Sequence, residues 1–155
     1  FIDFIFREYQ GDLEKMFQEE GDTLRTKLFL VSGIGPETAD SILLYAVQKP
    51  FFVIDAYTKR IFSRHRLEQF LEVAAFQKRH KSARSPKNPP LLEIADSYEN
   101  WQKLFVAGLR SAPSLKKQAP KDLYNDFHAQ VVMLGKHYCK RTIPLCEKCP
   151  LGSFV

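Results

Sequence analysis

The chain has 155 residues and is 45% hydrophobic, which is enough for a packed core in one domain or two small lobes. Lys and Arg total 23 against 18 Asp and Glu, and the formal net charge of +5 suits a polyanionic partner without identifying one. No run approaches the ~18 uncharged apolar residues of a membrane span, and the first residues lack the basic, apolar, small-residue order of a secretory leader, so the expectation is a soluble, cytoplasmic or nucleoid-associated protein with no membrane partner.

Phe1, Ile2, Phe4, Ile5 and Phe6 open the chain as an apolar cluster with no capping residue before it, as though a helix had begun upstream. Gly11 stops that helix and Asp12 caps a short second one, in which Leu13, Met16 and Phe17 turn inward. Gly21-Asp22 breaks the chain again. A third helix then carries Leu24, Leu28 and Val31 on one face and ends at Ser32.

Ser32-Gly33-Ile34-Gly35-Pro36 reads as a tight hairpin into a second helix. Glycines at 33 and 35 allow positive φ and close backbone approach, and Pro36 suits a first helical position. Backbone amides exposed at the positive end of a helix dipole can hold a nucleic-acid phosphate without a basic side chain, and such a contact is blind to base sequence. A plain αα-hairpin with a glycine turn has the same local pattern. The helix from 36 to 47 places Ala39, Ile42, Leu43 and Ala46 inward, and Ile34 anchors the hairpin to the same core.

Lys49-Pro50 ends the helical pattern, and Phe51 to Ile54 reads as a buried extended connection delivering Asp55 to a helix from Ala56 to about Arg66. Tyr57 or Thr58, Ile61 and Phe62 define that helix's faces. Residues 1–66 form a hairpin-containing lobe. Residues 77–90 carry five Lys or Arg and no acid, a basic loop that is either a solvated connector or a contact for DNA phosphates. Residues 91–138 form a helical lobe. There Asp96 with Glu99 resembles a capping box for a helix holding Trp101, Leu104 and Phe105. Gly108, Pro113 and Pro120 bound another loop, and a long helix from Asp122 to Tyr138 lines up Leu123, Phe127, Val131, Leu134 and Tyr138. With no internal repeat and no strand pair, the expected class is all-α.

Asp55 has two readings. An aspartate directly before an amphipathic helix is an ordinary cap. A carboxylate brought back beside amides that hold a DNA backbone can also stabilise positive charge developing on a sugar as its base departs, and orient or deprotonate the attacking water.

Leu30 through Ala46, taken with Val53-Ile54-Asp55-Ala56-Tyr57, resembles the helix-hairpin-helix and Gly/Pro-rich-loop-plus-aspartate signature of the endonuclease III superfamily of DNA glycosylases. The resemblance implies that duplex DNA carrying a damaged base is the partner, that the base is flipped out of the stack, and that Asp55 drives cleavage of the N-glycosidic bond. It places Gly33, Ile34, Gly35 and Thr38 in the DNA-gripping motif. Lys59, about one turn past Asp55, points to phosphate or solvent. Bifunctional members carry a Schiff-base lysine where this chain has Glu37, and Glu37 before Thr38-Ala39-Asp40 looks like the branch that removes 3-methyladenine and related alkylated purines. That implies a catalytic pair of Asp55 and Glu37 and hydrolysis without strand cutting, in a monomer. Glu37 is also the kind of first-turn acid that a helix dipole favours. A bifunctional glycosylase and a hairpin module that only binds DNA are the competing readings. The family fold has a further helical segment before the residue numbered 1 here.

The three cysteines follow as Cys139-x6-Cys146-x2-Cys149, a spacing suited to a metal rather than to a disulfide framework and to a reducing compartment. By the resemblance they are the first three ligands of a four-iron, four-sulfur cluster loop whose fourth position is Val155. A remnant loop without cluster, a non-cysteine ligand such as His137, and a zinc site using His137 or His128 stay open. In every case the three thiols are expected to converge.

Overall fold

A computed structural model describes residues 1–65 and 97–154. The basic loop at 77–90, Asp96 and Val155 lie outside the described residues. Among the described residues every regular element is helical, and no helix is long and apolar enough to cross a membrane.

Helix α1 (Ile2–Tyr9) ends where Gln10 and Gly11 adopt left-handed φ values of 56° and 83°. Helix α2 (Leu13–Gln18) starts under Asp12, whose carboxylate accepts from the Glu14 amide at 3.0 Å. Met16 is buried and Phe17 half-buried, but Leu13 is exposed, because six residues make less than two turns and give one narrow inward stripe. Of the opening cluster only Phe4 is fully buried, and Phe1, Ile2 and Phe6 face outward. Helix α3 (Gly21–Phe29) includes the glycine expected to break the chain. Glu20 caps it, and a Cβ on Gly21 would meet the Phe51 ring at 2.7 Å, so glycine serves close packing there. It also ends at Phe29 rather than Ser32, since the Leu30 and Val31 amides bond only three residues back.

Helix α4 (Pro36–Ser41) opens on Pro36 and passes directly into a π-turn, Ile42–Ala46, instead of running as one regular helix to 47. The Val47 amide bonds the Ile42 carbonyl at 3.0 Å. The wider turn shifts the register of everything after it, so Ala46 is exposed while Leu43, Leu44 and Val47 are buried. Leu43 enters a core formed with α1, α2 and α3, whereas Leu44 enters a second core with Phe52, Ile61, Phe105 and Tyr124. Each full leucine burial is worth about 1.5–3 kcal/mol.

Helix α5 (Ala56–Arg64) packs chiefly on α7 (Pro120–His137). Their approach requires Gly135, because a Cβ there would collide with the Tyr57 ring. Arg60 strengthens the contact by donating to the Cys139 carbonyl at 2.8 Å and the Gly135 carbonyl at 3.2 Å. Helix α6 (Tyr98–Ser111) is capped by Ser97, whose hydroxyl accepts from the Asn100 amide at 3.2 Å, not by the Asp96–Glu99 box expected from the sequence. Gly108 lies inside α6 rather than in a loop, and a short 3-10 turn, Pro113–Leu115, leads on toward α7.

A buried polar clamp joins these helices. Asp40, fully buried on α4, receives Arg25 of α3 at 2.6 and 2.9 Å and the Gln102 amide of α6 at 2.6 Å. Gln102 also donates to the Phe52 carbonyl at 2.7 Å, and the Ile54 amide donates to Tyr98 Oη at 3.2 Å. The connection carrying Asp55 is thereby tied to both hairpin helices and to α6.

Candidate active site

The hairpin is built by local hydrogen bonds. The Val31 amide donates to Leu28 and the Ile34 amide to Val31, each at 3.0 Å. Gly33 takes φ +85°, the left-handed region that favours glycine, whereas Gly35 is extended at φ −90°, ψ −179°. A Cβ on either would meet nothing, so both face open space. Gly35 thus contributes a bare surface rather than a special dihedral. Ile34 is half-buried against the first core, as anticipated. Glu37 and Thr38 stand exposed on the first turn of α4, which has no side-chain cap, so its leading amides remain available as donors.

After the hairpin helix, Phe52, Val53 and Ile54 are buried, without regular secondary structure, and lead to Asp55 at the start of α5. Asp55 is indeed the N-cap: its Oδ1 accepts from the Thr58 amide at 2.7 Å. Its second oxygen, Oδ2, lies 3.5 Å from Nε2 of His128 on α7, a close polar contact too long to count as a hydrogen bond. Burial pushes the Asp55 carboxyl up, but the His128 ring and the Thr58 amide outweigh it and hold the group below the ordinary carboxylate range. The buried carboxylate is ionised at neutral pH.

His128 is itself buried, packs edge-on to Phe52 at 6.4 Å, and meets the Tyr45 hydroxyl at Nδ1, 2.5 Å away. Burial, and then the charge of Asp55, raise the Tyr45 phenol above its usual value, so it stays protonated. Tyr45 keeps 43% of its surface exposed and forms the solvent-facing end of an Asp55–His128–Tyr45 line.

Tyr45 and His128 had no place in the sequence-level site, where His128 entered only as a zinc alternative. The readable signal was a polar residue at a helical position between Tyr124 and Val131, both buried. Glu37 forms no hydrogen bond or ion pair with this line among the described residues. Lys59 is half-buried on α5, its amide bonded to the Asp55 carbonyl at 3.1 Å.

Cys139, Cys146 and Cys149 line one cavity of about 220 Å³ with Arg64, His65, Tyr138, Pro144 and Gly152. Arg64 Nη1 donates to Cys139 Sγ at 3.3 Å. The donor set fits thiolate-bound iron in kind, but among the described residues no three His, Cys, Asp or Glu side chains stand close enough to hold a metal ion. The expected convergence therefore goes as far as a shared cavity and no further. The zinc alternatives also fail: His128 is engaged by Asp55 and Tyr45, and His137 is exposed and absent from the cavity wall.

No protein-family model matches the chain, and no solved structure does. Among curated proteins it is 36% identical over 155 residues to "Putative DNA repair glycosylase MJ1434" of Methanocaldococcus jannaschii, an alignment covering 97% of this chain and 54% of that protein. It is 26% identical to "DEMETER-like protein 3" of Arabidopsis thaliana, covering 92% of this chain and 12% of that one. It is 24% identical to "Transcriptional activator DEMETER" of the same plant, covering 97% and 7%. The chain therefore spans about half the length of the first relative and a small part of the plant proteins. The relative named as a DNA repair glycosylase supports the superfamily that the hairpin and Asp55 resemble, without distinguishing its 3-methyladenine branch.

Proposed function

We propose that this chain acts as a DNA glycosylase of base-excision repair, with Asp55 as the carboxylate that drives cleavage of the N-glycosidic bond. The observation that carries the reading is a buried, ionised aspartate at a helix start, on a connection that Gln102 ties to Asp40 of the helix following an exposed Gly-Ile-Gly hairpin. The hairpin amides, with Gly33, Ile34, Gly35 and Thr38, hold the DNA backbone, and Lys59 adds a phosphate contact. The damaged nucleotide is flipped out, since a stacked base hides its glycosidic bond. As the base leaves, its bond electrons depart with it and positive charge grows on the sugar, where the fixed negative charge of Asp55 is worth most. Water adds to the sugar carbon and gives its proton to the carboxylate.

The reading extends to reaction type and substrate class. An acid at 37 cannot form the imine that a strand-cutting lyase needs, so hydrolysis leaves the abasic strand intact, with Glu37 on the hairpin helix as a second acidic group of the site. Alkylated purines fit a site whose one buried acid is ionised, because such a base is already cationic and leaves without strong acid assistance.

The test is base release from duplexes bearing alkylated purines, oxidised pyrimidines or mismatches. Release from an alkylated purine, lost in Asp55→Asn with DNA binding kept, supports the assignment, and release from none of the panel removes it. Borohydride trapping on abasic DNA tests the reaction type. An adduct with the wild-type protein would overturn the hydrolytic reading, and one seen only in Glu37→Lys would support it. An iron–sulfur cluster, if bound, would be held by Cys139, Cys146 and Cys149, and no step above passes through it. Iron content and absorbance near ~400 nm in anaerobically purified protein decide that point.

A further inference from the structure

Packing alone does not ask for an imidazole at 128. The position faces Phe52 edge-on within an aromatic cluster, where a phenylalanine would fill the same space, yet the chain buries a ring with two polar nitrogens there. One nitrogen is met by Tyr45 at 2.5 Å, and the other faces Asp55 Oδ2 at 3.5 Å with no hydrogen-bond partner of its own. Among the described residues Asp55, from the connection before α5, and Tyr45, from the π-turn, are the titratable groups that meet His128. A phenol donating to Nδ1 would leave the ring proton on Nε2, facing the carboxylate; the donor and acceptor roles follow from that choice of tautomer. The π-turn sets the register in which Leu44 enters the core and Tyr45 reaches α7, and single π-turns within helices are frequent at functional sites.

We propose that His128 is the positioning residue of Asp55, its ring fixed by Tyr45 so that Nε2–H faces Oδ2 and holds the carboxylate in the orientation and charge state that bond cleavage uses. The contact closes to hydrogen-bond length when DNA excludes water from the groove, as positioning contacts in free enzymes commonly do. The proposal rests on Asp55 being the cleaving carboxylate.

The test compares His128→Phe, which keeps the packing and removes both nitrogens, with His128→Gln, which keeps an amide donor, and Tyr45→Phe. Two readouts apply: carboxyl-carbon NMR titration of Asp55 in the free protein, assigned with Asp55→Asn, and the pH profile of single-turnover base release on a duplex the wild type cleaves. In His128→Phe the Asp55 titration and the acidic limb should both move to higher pH. The single-turnover rate should fall about tenfold to a hundredfold while DNA affinity stays put. Gln should restore part of the rate, and Tyr45→Phe should move both readouts in the same direction by less. Tyr45→Phe alters an exposed side chain and carries the test if His128→Phe does not fold. An unmoved Asp55 titration and acidic limb in His128→Phe, with Asp55→Asn inactive, would overturn this proposal alone. Undiminished cleavage by Asp55→Asn would overturn the role of Asp55 and this proposal with it.

Discussion

Replacing Asp40 with leucine should be the most damaging single change among the polar residues. Leucine keeps aspartate's branching but replaces its oxygens with bulkier methyl groups, so the change strands the Arg25 guanidinium and one Gln102 donor in the protein interior and crowds the same space. Removing one partner of a buried ion pair costs about 3–5 kcal/mol. Arg25 keeps 17% side-chain exposure while Asp40 has none, so water still reaches the orphaned cation and the lower end applies, about 3 kcal/mol. For a chain of this size that lowers Tm by about 6–12 °C. Urea and thermal unfolding followed by circular dichroism measure it, alongside the double variant Arg25→Met/Asp40→Leu. The double variant should recover part of the loss, because no buried charge is left unpaired. A cost below about 1 kcal/mol, the value of an exposed pair, would refute the argument, as would a double variant no better than the single one. Base release should fall too, since Gln102 links Asp40 to the Phe52 carbonyl three residues before Asp55.

Gly33→Ala meets no steric obstacle, so it should cost only its left-handed backbone, about 1 kcal/mol by urea unfolding, while weakening duplex binding in a salt-dependent way; unchanged affinity at low salt would argue against a phosphate contact at the hairpin. Gly135→Val should be destabilising by about 1–3 kcal/mol through the Tyr57 ring, and a neutral result would mean that α5 and α7 separate freely. Asp55 has a folded-state value below its unfolded one. Its contribution to stability is therefore complete above the unfolded carboxylate range, about pH 4, and is lost as pH falls through the depressed folded value. Stability measured in urea between about pH 5 and pH 2 should accordingly fall less steeply in Asp55→Asn, and equal slopes would contradict the sign.

Asp12, Pro36 and Asp55 were legible as helix starts because a cap acts on amides two or three residues away, within the reach of local sequence. The hairpin was legible for the same reason, and so was the all-helical class, since amphipathic spacing over Leu24 and Leu28 or over Leu123 and Val131 needs no partner to be seen. Local rules failed where two local solutions compete. Gly21 reads as a breaker until Phe51 arrives to fill the space above it, and Asp96 with Glu99 reads as a cap although Ser97 takes the position. The π-turn left no mark in the periodicity; it is selected by sending Leu43 and Leu44 into two different cores. The site shows the same division. Asp55 declares itself through its neighbours in the chain, but what faces its second oxygen is His128, 73 positions on, and what holds His128 is Tyr45, 83 positions back. Pairings across such separations are decided by which faces of α4, α5 and α7 the two cores bury. That outcome depends on the packing of all the helices together, and only the tertiary structure settles it.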